Sequence, residues 1–283
     1  MGSLFHLSLT MGIGIALLAF CTEFVDSTLG MGYGTALTPL LLILGFEPLV
    51  IVPAVLLSEG ITGFLSAAAH NRAGNVSFLP RGFSFRGAHE TLRRFGLRRT
   101  LRSGVPRPLK VAFFISLCSV AATIAAVFLA VKLPPLAVKI YIGVMILVMG
   151  ITILARTGKK SRFSWARISL LGAVASFNKG ISGGGYGPVV TGGQVLSGLD
   201  AKQAIAITSQ SEGITCLAGF IVYTITIGTE NLTLAPYLIL GAVCSVPLSA
   251  LTVRKMVHTR LTYIIGGITL VLGAVTLAKA ALG

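Results

Sequence analysis

The chain has 283 residues, 54% of them hydrophobic and 11% charged, with a mean hydropathy of +0.89 and a formal net charge of +15. A soluble domain of this size needs far more charge to cover its surface, whereas a bilayer asks for runs of about 20 apolar residues, each satisfying its own backbone as a helix. The composition excludes a soluble globular protein, and nucleic acid is a poor explanation of the positive charge because no binding motif accompanies it.

Ten apolar elements follow one another, at roughly 8–28, 34–46, 48–70, 109–131, 135–156, 166–182, 187–198, 201–227, 233–253 and 261–282. The first carries Glu23 and Asp26 and has neither a basic leader nor a small-residue cleavage site, so it reads as a retained helix rather than a signal peptide. The second and seventh are about 12 residues long, too short to cross a bilayer core as straight helices. Each follows a glycine cluster, STLGMGYG (Ser27–Gly34) and NKGISGGGYGP (Asn178–Pro188), and each reads as a half-helix or re-entrant element.

Most Lys and Arg fall in three segments between apolar runs, 72–110, 156–167 and 254–260. The positive-inside pattern places these on the cytoplasmic side of a multi-pass protein of the cell (inner) membrane. The part at 72–108, with Arg93, Arg94, Arg98, Arg99 and Arg102, reads as an insertion held against anionic lipid headgroups.

The chain repeats itself at an offset of 153 residues. GMGYG (Gly30–Gly34) falls on GGGYG (Gly183–Gly187), and SEGIT at Ser58–Thr62 falls on SEGIT at Ser211–Thr215. Over positions 30–62 there are 11 identities in 33 without a gap, where chance gives about two. The basic segments then set direction. The third element runs from outside to inside, and its mate, the eighth, from inside to outside, which defines an inverted repeat. The expected fold is an all-α polytopic membrane protein of two inverted repeats, 1–156 and 157–283, each of about five helical elements.

Breaking a membrane helix with glycine frees backbone N–H groups, and a helix N-terminus with free N–H groups suits an anion. Two such breaks in inverted halves meet near the bilayer midplane, where inverted-repeat transporters bind substrate. The expected substrate site therefore takes Gly30, Gly32, Tyr33 and Gly34 from the first break, and Asn178, Lys179, Gly180, Ser182, Gly183, Gly184, Gly185 and Tyr186 from the second. Ser58 and Ser211 supply hydroxyls beside it.

Glu23, Asp26, Glu59, Lys179 and Glu212 lie in otherwise nearly charge-free elements. Charges at that depth cost about 2.5–3.5 kcal/mol each on insertion scales and need partners or a water-filled cavity. Lys179 is the repeat mate of Asp26 and either neutralises it or supplies the positive charge an anion requires. Glu59 and Glu212, each followed by glycine, are candidates for proton coupling or for a contact holding the repeats together. Glu23 and Asp26 join them as candidate charge-relay groups.

Other chemistry finds little support. Cys21, Cys118, Cys216 and Cys244 are isolated in apolar stretches and read as buried small hydrophobes. His6, His70, His89 and His258 fall at or outside membrane boundaries and form no cluster, so no metal site is expected. There is no Walker sequence for nucleotide and no nucleophile–base pair, so neither a cofactor nor an enzymatic activity is expected.

The paired glycine clusters and the Ser-containing helix later in each half resemble the TauE/SafE sulfite exporter family, also called the toluene sulfonate uptake permease family. SFNKGISGGGYGPVVTGGQVLSG (Ser176–Gly198) is similar to its second-half motif, while the first half departs with GMGYG and with Pro39 five residues after the cluster. The resemblance covers nearly the whole chain outside 72–108 and implies secondary transport of sulfite, sulfoacetate or related sulfonates. The leading expectation is a proton- or gradient-coupled small-anion carrier working by alternating access. An anion channel of the same architecture and a cation carrier using the membrane carboxylates are the alternatives, and Lys179 argues against the second.

Overall fold

In a computed structural model, residues 8–78, 106–156, 165–196, 199–229, 232–253 and 258–282 are described. Ten helices account for the regular structure there: α1 Leu9–Leu29, α2 Tyr33–Ile43, α3 Pro48–Arg72, α4 Arg107–Lys132, α5 Pro135–Arg156, α6 Trp165–Ser182, α7 Tyr186–Leu196, α8 Ala201–Ile227, α9 Ala235–Val253 and α10 His258–Leu282. They follow the ten apolar elements of the sequence closely.

Local chemistry sets the ends. Ser8 caps α1 by accepting from the Met11 N–H at 3.2 Å, and Asp200 caps α8 by accepting from the Lys202 and Gln203 N–H groups, the side-chain oxygens replacing the missing helical acceptors. Helix α1 stops at Gly30 (φ 69°) and α6 at Gly183 (φ 71°), both left-handed, a conformation that glycine adopts without steric cost.

Helices α1, α3, α4, α8 and α9 are long and apolar enough to cross a membrane. At 11 residues each, α2 and α7 reach only about 16 Å at 1.5 Å per residue. Large apolar side chains such as Phe113, Leu117, Ile225 and Leu240 point outward, as lipid-facing positions require. The described chain is thus an all-helical polytopic membrane protein.

Helix α3 packs on α8, and α5 on α10. Helix α1 packs on α9 as α6 does on α4, α9 on α3 as α4 does on α8, and α2 touches α1 as α7 touches α6. Exchanging each element with the one five places along leaves these pairings unchanged. The central α3–α8 contact is made close by glycine: a Cβ on Gly63 would stand 2.7 Å from the Ser209 carbonyl oxygen and 2.8 Å from the Gly213 Cα. Small residues let membrane helices approach to this degree.

One expectation needs correction. Cys21 and Cys244 are exposed, and only Cys216 of the four is buried; a membrane helix is apolar on its lipid face as well as its inner one, so hydropathy does not report burial. His70 is fully buried near the end of α3. Its Nε2 faces the Ser27 carbonyl at 2.9 Å, and the Asn75 amide donates to its Nδ1 at 2.9 Å. These partners assign the Nε2–H tautomer. The basic insertion expected at 72–108 lies mostly at 79–105, outside the described residues, as does most of 156–167.

Candidate functional site

The two glycine clusters end α1 and α6 and begin α2 and α7, and they lie directly against each other. A Cβ on Gly34 would overlap the Gly183 carbonyl oxygen, and one on Gly184 would stand 2.7 Å from the Gly34 carbonyl carbon and oxygen. A Cβ on Gly187 would likewise stand 2.6 Å from the Met31 Cα. The matched glycines Gly30 and Gly183, and Gly32 and Gly185, all have positive φ.

Each break is pinned by the helix that follows. The Tyr33 and Ser58 hydroxyls lie 2.9 Å apart, and the Tyr186 hydroxyl donates to Ser211 Oγ at 3.0 Å, so the same bond recurs in both halves. Tyr186 also lies 3.4 Å from Ser119 Oγ. Asn178 accepts from the Tyr141 hydroxyl, and the Gly180 carbonyl from Tyr223. The N–H groups of the second break are engaged within the chain: Gly183 with the Lys179 carbonyl at 2.8 Å, Gly184 with Ser182 Oγ at 3.0 Å, and Gly185 with Thr35 Oγ1 at 3.0 Å.

One turn before that break, Lys179 projects between α3 and α8. Its ammonium is ion-paired with Glu59 and with Glu212, the latter at 2.8 Å. All three side chains are buried. The direct partners of Lys179 among the described residues are thus the matched glutamates, while Asp26 Oδ1 accepts the Tyr33 N–H at 3.2 Å. Glu23 accepts from Ser27 at 2.6 Å and from Thr62 at 3.2 Å.

The structure thus gathers Glu23, Asp26, Glu59, Lys179 and Glu212 into one region. A small cavity lined by Glu23, Asp26, Glu59, Thr62, Gly63, Ser66, Ser209 and Glu212 has room for about one water molecule. Glu59 Oε1 is buried and has no hydrogen-bond partner among the described residues. Cys216 Sγ lies 3.9 Å from Glu59 Oε2, and potential ligand atoms of Glu59, Glu212 and Cys216 fall within 4.8 Å of one another. Spacing along the chain could not reveal that group, because α3 and α8 supply it together. The Lys179 ammonium already provides the positive charge between its carboxylates.

The family model for the sulfite exporter TauE/SafE matches residues 15–84 and 95–276. The chain belongs to the TauE/SafE sulfite exporter family. The match runs through both glycine breaks and all five buried charges. A curated protein of Bacillus subtilis (strain 168), named "Probable membrane transporter protein YtnM", is 27% identical over 282 residues, covering 94% of this chain and 82% of its own length. No solved structure matches significantly. The chain is therefore a multi-pass membrane protein of a transporter family.

Sequence reasoning passed over the threonines around the breaks. Thr35 and Thr38 of α2 are buried against the second break, and Thr191 of α7 against the first. Thr38 and Thr191 were among the 11 repeat identities, and that was the available signal.

Proposed function

We propose that this protein is a secondary transporter of small anions, sulfite or an organosulfonate, working by alternating access and coupled to protons. The observation that carries the reading is the contact of two glycine breaks beside a buried lysine shared by matched glutamates. Broken helices supply backbone donors at membrane depth, where an anion loses its water and needs them. Residues Gly30–Gly34 and Asn178–Tyr186, with Ser58 and Ser211, form the substrate region.

The charge balance supplies the coupling. Two carboxylates contact one ammonium and two more line the cavity that Glu59 and Glu212 also line, so an arriving anion adds to an excess of negative charge unless protons enter with it. Glu59 and Glu212, in contact with Lys179, are the groups that exchange the proton, with Glu23 and Asp26 around the same cavity. The two repeats, 1–156 and 157–283, sit in opposite senses in the inner membrane and rock against each other about the touching breaks. The basic segments 72–110, 156–167 and 254–260 face the cytoplasm, with 72–108 against anionic headgroups.

One observation favours a second reading: the cavity is lined by carboxylates and hydroxyls, ligands that suit a hard cation. Sulfoacetate uptake into proteoliposomes, measured with and without an imposed pH gradient, separates the two. Saturable uptake driven by the gradient and lost in Lys179→Met supports the anion carrier. Cation flux that proceeds without any sulfonate or sulfite movement overturns it.

A further inference from the structure

The two breaks match in sequence but differ in how they are filled. At the first, the N-terminus of α2 already holds a carboxylate of the chain, because Asp26 Oδ1 accepts the Tyr33 N–H at 3.2 Å. The residue matched to Asp26 at the second break is Lys179, and its ammonium is directed to Glu59 and Glu212. Among the described residues, therefore, no carboxylate takes at α7 the place that Asp26 takes at α2.

The hydroxyls differ in the same sense. Thr191 is fully committed at the first break, donating toward the Gly30 carbonyl at 2.7 Å and lying 2.8 Å from Thr208 Oγ1. Its mate Thr38 is 0% exposed, lies beside Gly183, and its Oγ1 has no hydrogen-bond partner among the described residues. The cause is legible in the sequence, since the mate of Thr208 is Val55, which offers no hydroxyl. Thr35 adds a second hydroxyl at Gly185, where the first break has Pro188 at the matched position. A buried hydroxyl without a partner costs stability, and it persists where a ligand completes it.

Resting on the transport reading above, we propose that the protein has one anion subsite, at the second break alone, with Thr35 and Thr38 of the first repeat as its specificity-determining donors. The ligand class is a small oxyanion or sulfonate head. It takes the place at α7 that Asp26 takes at α2. Thr35 Oγ1 accepts the Gly185 N–H; a bound anion replaces it as acceptor, and the Thr35 and Thr38 hydroxyls then turn to donate. The subsite is shared between the repeats, so relative motion of α2 and α7 opens or closes it.

The test is titration calorimetry of the purified full-length protein with sulfoacetate and with sulfite, paired with melting curves of the unliganded variants. Wild type should bind one anion per chain. Thr38→Val should weaken binding about 10-fold or more while its unliganded melting temperature stays level or rises, because valine removes an unsatisfied hydroxyl without changing shape. Thr35→Val should weaken binding comparably. Thr191→Val should do the reverse, lowering the unliganded melting temperature with affinity unchanged within about 2-fold. Wild-type affinity in both Thr35→Val and Thr38→Val overturns the subsite and leaves the transport reading standing. So does a stoichiometry of two, or an equal loss in Thr191→Val. No binding of either anion by wild type overturns both together.

Discussion

Gly34 and Gly184 touch through their backbones although they lie 150 residues apart in the chain: a Cβ on Gly184 would come within 2.7 Å of the Gly34 carbonyl. Backbone cannot yield as a flexible side chain does, so neither position accommodates a methyl group. Gly34→Ala and Gly184→Ala should each lose at least about 1–3 kcal/mol and sharply reduce the yield of monodisperse protein in gel filtration. Gly192→Ala is the control, since a Cβ there meets nothing within 4 Å. Normal yield of the first two would mean that the breaks do not touch as described.

Lys179 is the positive member of a buried three-residue network, and removing it strands two carboxylates. Lys179→Met should destabilise the fold by about 3–5 kcal/mol, the range for breaking a buried pair, and abolish transport. Adding Glu59→Gln and Glu212→Gln should recover most of the melting temperature without recovering transport. A single Lys179→Met protein that both melts and transports like wild type would remove the lysine from both roles.

Glu212→Gln keeps the shape of the side chain and removes its capacity to gain or lose a proton. If Glu212 exchanges the coupled proton, the pH dependence of sulfoacetate uptake should flatten while the half-saturating concentration changes by less than about 3-fold, since the amide oxygen can still accept from Lys179. An unaltered pH profile would give Glu212 a purely structural place beside Lys179.

His70 ties the end of α3 to α1 through Ser27, and Asn75 extends the tie to the Ala250 carbonyl of α9 at 3.1 Å. His70→Leu leaves the Ser27 carbonyl and part of the Asn75 amide buried without partners. The expected cost is about 1–3 kcal/mol, read as a lower melting temperature with anion affinity retained.

The helices were legible because a bilayer permits few solutions: apolar runs of sufficient length must be helical, and α1, α3, α4, α8 and α9 followed directly. The short α2 and α7 were legible from the glycines before them. The partner of Lys179 was not. Asp26 was its mate by offset, whereas Glu59 and Glu212 reach it through the packing of α3 against α8, which no spacing encodes. Cys21 and Cys244 show the same limit, since an apolar neighbourhood in sequence is shared by lipid-facing and inner positions. The inequality of the two breaks was half visible, in Val55 against Thr208 and Thr35 against Pro188, but its meaning required knowing which residues face each loop.

One lysine serving two glutamates also bears on how such a molecule is encoded. Two copies of the first half, paired about a two-fold axis, would present Asp26 and Glu59 twice with no ammonium between them. Two copies of the second would present Lys179 and Glu212 twice, each acid with its own base and none to spare. The three-membered network exists only when unlike halves meet in equal number. A single reading frame guarantees that ratio, so the covalent joining of the halves is part of the chemistry and not merely a convenience of assembly.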